Sequence, residues 1–228
     1  MDRSVWVNGS RCPDGLASID VDDEGFTLGR SVFETLRTYR GRIFALDDHI
    51  ERIAASASAM QVPLPDLVCL EQELVACAET HGLKYEDVSI RLTLTSGGMR
   101  VLRAGKIPAF PPSMSCVTRM FVPPDWLDGT VKHCSRAYSR MAVLSAGVDE
   151  VLWVDDEHHL LEGTRSNVFS IVDGALRTPP VDGRFLAGVT RSFVLDAAVE
   201  AGIPVVMGPL PAEENAGVLY LCSTLKEI

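Results

Sequence analysis

Lysine is scarce in this chain. Only four of its 228 residues are lysines, Lys84, Lys106, Lys132 and Lys226, against 17 arginines, so chemistry that needs a primary amine has few places to sit. Cysteine offers no framework either: Cys12, Cys69, Cys77, Cys116, Cys134 and Cys222 stand apart, with no CxxC pair and no Cys/His spacing that seats zinc. Reduced, mostly buried thiols and no metal are expected. No apolar run approaches the roughly 20 residues of a bilayer-crossing helix, and MDRSVWVNGS lacks the apolar core of a signal peptide. A cytoplasmic protein with no membrane partner follows as the expectation. Positive charge is not clustered, and with a net charge of -10 no nucleic-acid partner is expected. What is present, 46% hydrophobic and 23% charged residues without a fixed repeat, suits an ordinary globular protein of one large or two compact domains.

The first half mixes strand and helix patterns. Residues 3 to 8 and VFETLRTY, 32 to 39, read as strands, and GRIFAL, 41 to 46, returns after a turn at Arg40 and Gly41 to make an antiparallel edge. Asp47 or Asp48 can cap a helix whose apolar face is Ile50, Ile53, Ala54, Ala57 and Met60, with His49, Arg52 and Ser56 on another, solvated face. A second helix, about 66 to 81, stops at Gly82, and VSIRLTLT, 88 to 95, alternates strictly as a half-buried strand. The Gly- and Pro-rich stretch 96 to 113 reads as a strandless domain boundary, giving a small α/β domain, 1–110, and a second domain, 111–228. Beyond it come a short helix around 134 to 145, the strand VLWVD, and a hairpin of 167–172 with 175–178 around Asp173-Gly174. A helix at 191 to 201 begins at Thr190, and the strand VLYLC precedes CSTLKEI. The class is α+β, in two lobes.

Several residues could carry chemistry, and each has a plainer reading beside it. Gly188-Val189-Thr190 opens a helix, where free N–H groups and the dipole favour an anion such as phosphate; many helices simply start that way. Ser223 and Thr224 could present hydroxyls to phosphate oxygens, or form an ordinary turn. Glu162, in EGTRSNVF, could face inward with Ser166 and Asn167 satisfying backbone groups nearby; it would then need a cationic partner, such as a protonated pyridine nitrogen. Otherwise it is a solvated loop acid. Lys132 reads from composition as a surface lysine, yet a lysine desolvated beside a cofactor becomes a nucleophile toward an aldehyde. The pair His158-His159 has no third ligand at metal spacing.

Taken in order, these segments resemble the class IV aminotransferases, the fold-type IV pyridoxal-phosphate enzymes, over essentially the whole chain. VFETLRTYRGRIFALDDHIERIAASASAMQVPLP is similar to their opening lobe, VDEVLWVDDEHHLLEGTRSNVFSIVDGALRTPP to their glutamate segment, LAGVTR and CSTLKEI to their two phosphate loops, and LDGTVKHCSR to their lysine segment. The resemblance implies pyridoxal 5'-phosphate carried on Lys132, with Arg52, Val189, Thr190, Ser223 and Thr224 at the phosphate. It implies Glu162 at the ring nitrogen, with Ser166 and Asn167 beside it. It also implies a small α/β lobe, a larger lobe with a barrel-like sheet, the cofactor between them, and a homodimer. The family pattern continues with a final strand and helix beyond Ile228, so the second domain reads as shortened.

Within the family, two features tilt the reading toward 4-amino-4-deoxychorismate lyase, which expels pyruvate and leaves 4-aminobenzoate for folate synthesis. KHCSR resembles the lyases' lysine segment, and FETLR lacks the Glu-Gly pair common in branched-chain aminotransferases; SGGMR also resembles a lyase loop. Phe33, Arg100 and Arg136 are then the expected substrate contacts. The alternative is an aminotransferase of D-amino acids or branched-chain amino acids, and the other a catalytically silent, shortened relative.

Overall fold

The computed structural model describes residues 5–12, 15–80, 87–123, 128–213 and 218–228. The chain divides into two compact units, Met1–Ala109 with Val131–Ser135, and Phe110–Thr130 with Arg136–Ile228. Lys132 therefore belongs to the first unit, a return that a single division at 110 does not contain.

The first unit runs β1 (Val5–Val7), β2 (Ser10–Cys12), α1 (Glu24–Thr27), β3 (Ser31–Tyr39), β4 (Arg42–Ile43), α2 (Leu46–Ala59), α3 (Leu67–Thr80), β5 (Val88–Thr95) and β6 (Arg100–Lys106). Its strands form one antiparallel sheet in the order β2-β1-β6-β5-β3-β4. The β3–β4 hairpin turns on Arg40 and Gly41, at φ 51° and 78°, the double left-handed conformation whose twist matches the flanking strands. Period-2 alternation sends Val32, Leu36, Ile90, Leu92 and Leu102 to one face, where α2 and α3 bring Ile53, Leu70 and Leu74 against them. Asp66 starts α3 by accepting the Cys69 N–H at 2.9 Å.

Three expectations need correcting here. The strand proposed for 41 to 46 is only β4, because Ala45 takes a left-handed conformation (φ 49°) and starts α2 with no side-chain cap from Asp47 or Asp48. The stretch 96 to 113 is not strandless: β6 lies inside it, since Leu102 and Ala104 face the core while Val101 and Arg103 face the other way. The supposed solvated face of α2 is largely closed, His49 and Ser56 being buried. Of the strand proposed from residue 3, residues 3 and 4 lie outside the described residues, as does Gly82.

The second unit contains β7 (Cys116–Met120), α4 (Ala137–Ala146), β8 (Glu150–Val154), β9 (Leu160–Gly163), β10 (Asn167–Val172), β11 (Ala175–Thr178), α5 (Val189–Glu200), β12 (Val205–Met207) and β13 (Leu219–Cys222). They make a three-stranded sheet, β7-β8-β9, and a four-stranded sheet, β12-β11-β10-β13. Both parallel pairs, β7 with β8 and β11 with β12, have a helix between them in sequence, the crossover a parallel connection requires. All five residues of β8 are buried, Val151 and Trp153 in one apolar cluster and Leu152 and Val154 in another. The Asp173-Gly174 hairpin forms as the sequence suggests, at φ 52° and 75°. Among the described residues both sheets are open, and no helix is long and apolar enough to cross a membrane.

Leu74 has no exposed surface and sits in the first unit's core. Leu74→Ala removes three carbons from a packed site and is expected to cost about 2–5 kcal/mol; urea unfolding monitored by circular dichroism reads it, and a cost below about 1 kcal/mol contradicts the packing described.

Candidate active site

In the first unit an acid sits where alternation puts a core residue. Glu34 pairs in register with Leu92, so its side chain points to the helix-covered face, and it has no exposed surface. An isolated carboxylate there would be neutralised or expelled. Instead α2 supplies its partners one turn apart. His49 Nδ1 donates to Glu34 Oε2 at 2.8 Å, Arg52 Nε donates to Oε1 at 2.7 Å and Arg52 Nη2 to Oε2 at 2.8 Å. Burial pushes the Glu34 carboxyl up, but the hydrogen bonds from His49 and Arg52 and the charges of Arg52 and Lys132 outweigh it, leaving it lowered to about 2. His49 Nε2 is buried with no hydrogen-bond partner among the described residues.

Ser56, a turn further along the same stripe, accepts the backbone N–H of Lys132 at 3.1 Å. The Lys132 carbonyl in turn accepts the Phe33 N–H at 3.0 Å, and His133 bridges to Val32, so Val131–Ser135 lies along β3. The Lys132 side chain leaves that segment half-buried, with Nζ 4.9 Å from the Phe33 ring centroid. Phe33 alternates with Glu34 and faces the other side of the sheet. Over the same ring lies the guanidinium of Arg91, 3.9 Å from the centroid, which also donates to Cys134 Sγ at 3.8 Å. The sequence reading passed over Arg91, because an arginine at an outward position of an alternating strand looks solvated; the register Phe33↔Thr93 gives it a ring to lie on.

In the second unit Asn167 is the organising side chain. It pairs with Cys222 across β10 and β13, which brings the following Ser223 and Thr224 beside it. Its Nδ2 donates to the Leu186 carbonyl at 2.9 Å, tethering the segment that leads into α5. A Cβ at Gly188 would fall 2.0 Å from Asn167 Oδ1, so glycine is required for this approach. Helix α5 then begins at Val189 with Gly188 as N-cap and no side-chain cap, leaving Val189 and Thr190 in the uncapped first turn. Glu162 is a half-buried residue of β9, ahead of a tight turn in which the Gly163 N–H reaches the Ser166 carbonyl at 2.7 Å. Ser166 Oγ is buried and has no partner among the described residues.

The expected substrate contacts are divided between the two units, two in the first and one in the second. Phe33 is in the first unit beside Lys132. Arg100 pairs in register with Leu94, on the helix-covered face opposite Phe33, and its guanidinium is held by Glu73 with two contacts of 2.5 Å. Arg136 belongs to the second unit, where it precedes α4 and donates to the Thr164 carbonyl at 2.5 Å. Two further buried charges went unread in the sequence: Glu150 and Lys226 pair at 2.5 Å, 76 residues apart, a separation at which no local pattern can show them.

Residues 31–228 match the family model for amino-transferase class IV. A putative branched-chain-amino-acid aminotransferase of Methanocaldococcus jannaschii is 32% identical, the alignment covering 98% of this chain and 85% of that protein. A D-alanine aminotransferase of Listeria innocua is 28% identical over 98% and 85% of the two chains. Among solved structures, the 4-amino-4-deoxychorismate lyase of Pseudomonas aeruginosa is similar with a TM-score of 0.80 and 26% identity, covering 97% of this chain and 87% of that one.

The Glu34 carboxyl titrates at 4.5 when unperturbed and at about 2 here. A folded-state value below the unfolded one contributes stability that is present above pH 4.5 and lost as pH falls toward about 2. The stability difference between the wild-type chain and Glu34→Gln, read from urea melts at a series of pH values, is therefore expected to shrink across that window. A difference that stays constant from pH 6 down to pH 2 would overturn the ion-pair account of this site.

Proposed function

This chain belongs to the amino-transferase class IV family, and from that premise we propose that it is an amino-acid aminotransferase of the branched-chain or D-amino-acid type, using pyridoxal 5'-phosphate carried on Lys132. The observation that carries this reading is the setting of Lys132. Of the described lysines, Lys106 is exposed on β6 and Lys226 is ion-paired to Glu150. Lys132 alone of these three is half-buried against an aromatic ring, its backbone held at both N–H and carbonyl.

The residues present fit the cofactor. In the first unit His49, whose Nε2 is buried and unpartnered among the described residues, has its Nδ1 3.5 Å from Nη2 of Arg52. In the second, the Gly188 cradle opens onto the uncapped turn of α5, suited to an anion. We assign the phosphate to Arg52, Val189, Thr190, Ser223 and Thr224, and the ring nitrogen to Glu162, with Ser166 and Asn167 shaping the strand beside it. When bound, pyridoxal phosphate supplies an aldehyde for the substrate amine and a ring that draws electron density from the amine-bearing carbon. Lys132 would carry the cofactor through its Nζ and would be the group that moves the proton at that carbon. Glu162 would hold the proton on the ring nitrogen, and Arg52 would keep the phosphate end from shifting. The exposed Arg91 guanidinium, laid over Phe33, is the cation we assign to the substrate carboxylate in place of Arg100.

A second reading, 4-amino-4-deoxychorismate lyase, is favoured by the KHCSR segment and by the Pseudomonas aeruginosa neighbour. It has less support, because the relative at 32% identity is an aminotransferase and Arg100, on the SGGMR loop that suggested the lyase, is occupied by Glu73.

The protein mixed with pyridoxal phosphate is expected to show a bound-cofactor absorbance band that borohydride fixes and Lys132→Ala abolishes; a band surviving in that variant overturns the lysine assignment. Leucine or D-alanine should then convert the cofactor to its amine form and yield the corresponding keto acid. Pyruvate and 4-aminobenzoate released from aminodeoxychorismate, with no such conversion, would establish the lyase instead. Arg91→Ala is expected to raise KM for the amino acid roughly tenfold, the worth of one charge-assisted contact, and an unchanged KM removes Arg91 from substrate binding.

A further inference from the structure

One buried carboxylate in the second unit serves two segments. Glu150 opens β8 with no exposed surface. Its Oε1 accepts the Thr164 hydroxyl and, at 2.8 Å, the Arg165 N–H, both from the turn that follows Glu162. Its Oε2 accepts Lys226 Nζ at 2.5 Å, and the lysine side chain is 6% exposed. Lys226 belongs to the turn after β13. That turn closes on itself through Ser223 N–H to the Glu227 carbonyl at 3.2 Å, Glu227 N–H to the Ser223 carbonyl at 2.9 Å, and Lys226 N–H to Ser223 Oγ at 3.3 Å. The lysine side chain carries this closed turn across to β8. Thus the Glu162 turn and the Ser223-Thr224 turn are fixed to the two oxygens of a single group.

A buried lysine is a costly way to fill space: an apolar side chain of similar volume packs there without desolvating a charge. An ion pair does what an apolar contact does not, since it specifies one partner at one distance. We propose that Lys226 and Glu150 are positioning residues that hold the Ser223-Thr224 turn in the conformation that takes a phosphate monoester. This rests on the assignment of that turn to the cofactor phosphate. The two charged groups are engaged with each other, so their effect is expected on how strongly the phosphorylated cofactor is held and not on any proton transfer.

The test compares equilibrium dialysis of pyridoxal phosphate with that of pyridoxal, which lacks the phosphate, on the full chain. The variants are Lys226→Met, Lys226→Met with Glu150→Gln, and Thr224→Ala, each with a thermal melt. The double variant guards against unfolding by an unpaired Glu150, and its glutamine keeps an acceptor for Thr164 and Arg165. Both Lys226 variants are expected to bind pyridoxal phosphate about tenfold more weakly while pyridoxal affinity stays near the wild-type value, so that the preference for the phosphorylated form collapses. Retention of the wild-type preference by the double variant, where Thr224→Ala loses it, overturns the positioning role and leaves the phosphate assignment standing. If Thr224→Ala also keeps the preference, the phosphate assignment fails and the proposal with it. Equal weakening of both ligands, in step with a lower melting temperature, marks a merely stabilising pair and overturns the proposal as well.

Discussion

Glu34 is the constraint on which the first unit depends. A carboxylate on the helix-covered face of a sheet, with no exposed surface, leaves the opposing helix little freedom: it must deliver a cation and a second donor at fixed heights. Helix α2 does so with His49 and Arg52, three residues apart on one face. Once that register is set, Ser56 falls where it can accept the Lys132 backbone N–H, and the lysine side chain is delivered to the Phe33 ring. The position of the Lys132 amine is therefore a consequence of how an acid on β3 was neutralised, far earlier in the chain. Glu150 plays the corresponding part in the second unit, with Lys226, Thr164 and Arg165 as its partners. In both units the rigid element is a strand residue, and what it fixes is a segment with little regular structure of its own.

Much of the framework was legible because it rests on local periodicity. VSIRLTLT gave β5 at its observed bounds, and Asp173-Gly174 gave the β10–β11 hairpin. The order of motifs pointed to the family, whose model matches residues 31–228, and through it to the proposed roles of Lys132 and Glu162. What escaped was non-local. The polar stripe of His49, Arg52 and Ser56 was visible, yet it read as solvated, because the acid that requires it lies 15 to 18 residues away on a strand. RVLRAGK hid its strand between a glycine turn and prolines and under two arginines, although its small and apolar residues alternate correctly. Arg100 looked available on a Gly-rich loop; its partner Glu73 comes from the middle of α3. In each case the missing information was the partner across the sheet, which register supplies and composition does not.

The two kinds of arginine found in the first unit also explain why chemistry and specificity can vary separately in such a chain. Arg52 is locked: two of its nitrogens go to Glu34, and replacing it would leave a buried carboxylate without its cation, a loss several times that of an exposed contact. Arg91 is exposed and rests on a ring and a thiol; exchanging it disturbs no buried charge and costs little stability. If Arg91 binds the substrate carboxylate as proposed, a change of substrate is open there while Lys132 and its supports stay as they are. On the proposed reading, transfer and elimination begin with the same proton removal by the same amine, so the choice between them falls to whatever orients the rest of the substrate. With Arg100 drawn to Glu73 on the far face, the group in the first unit proposed to make that selection is the Phe33 face and the guanidinium lying over it.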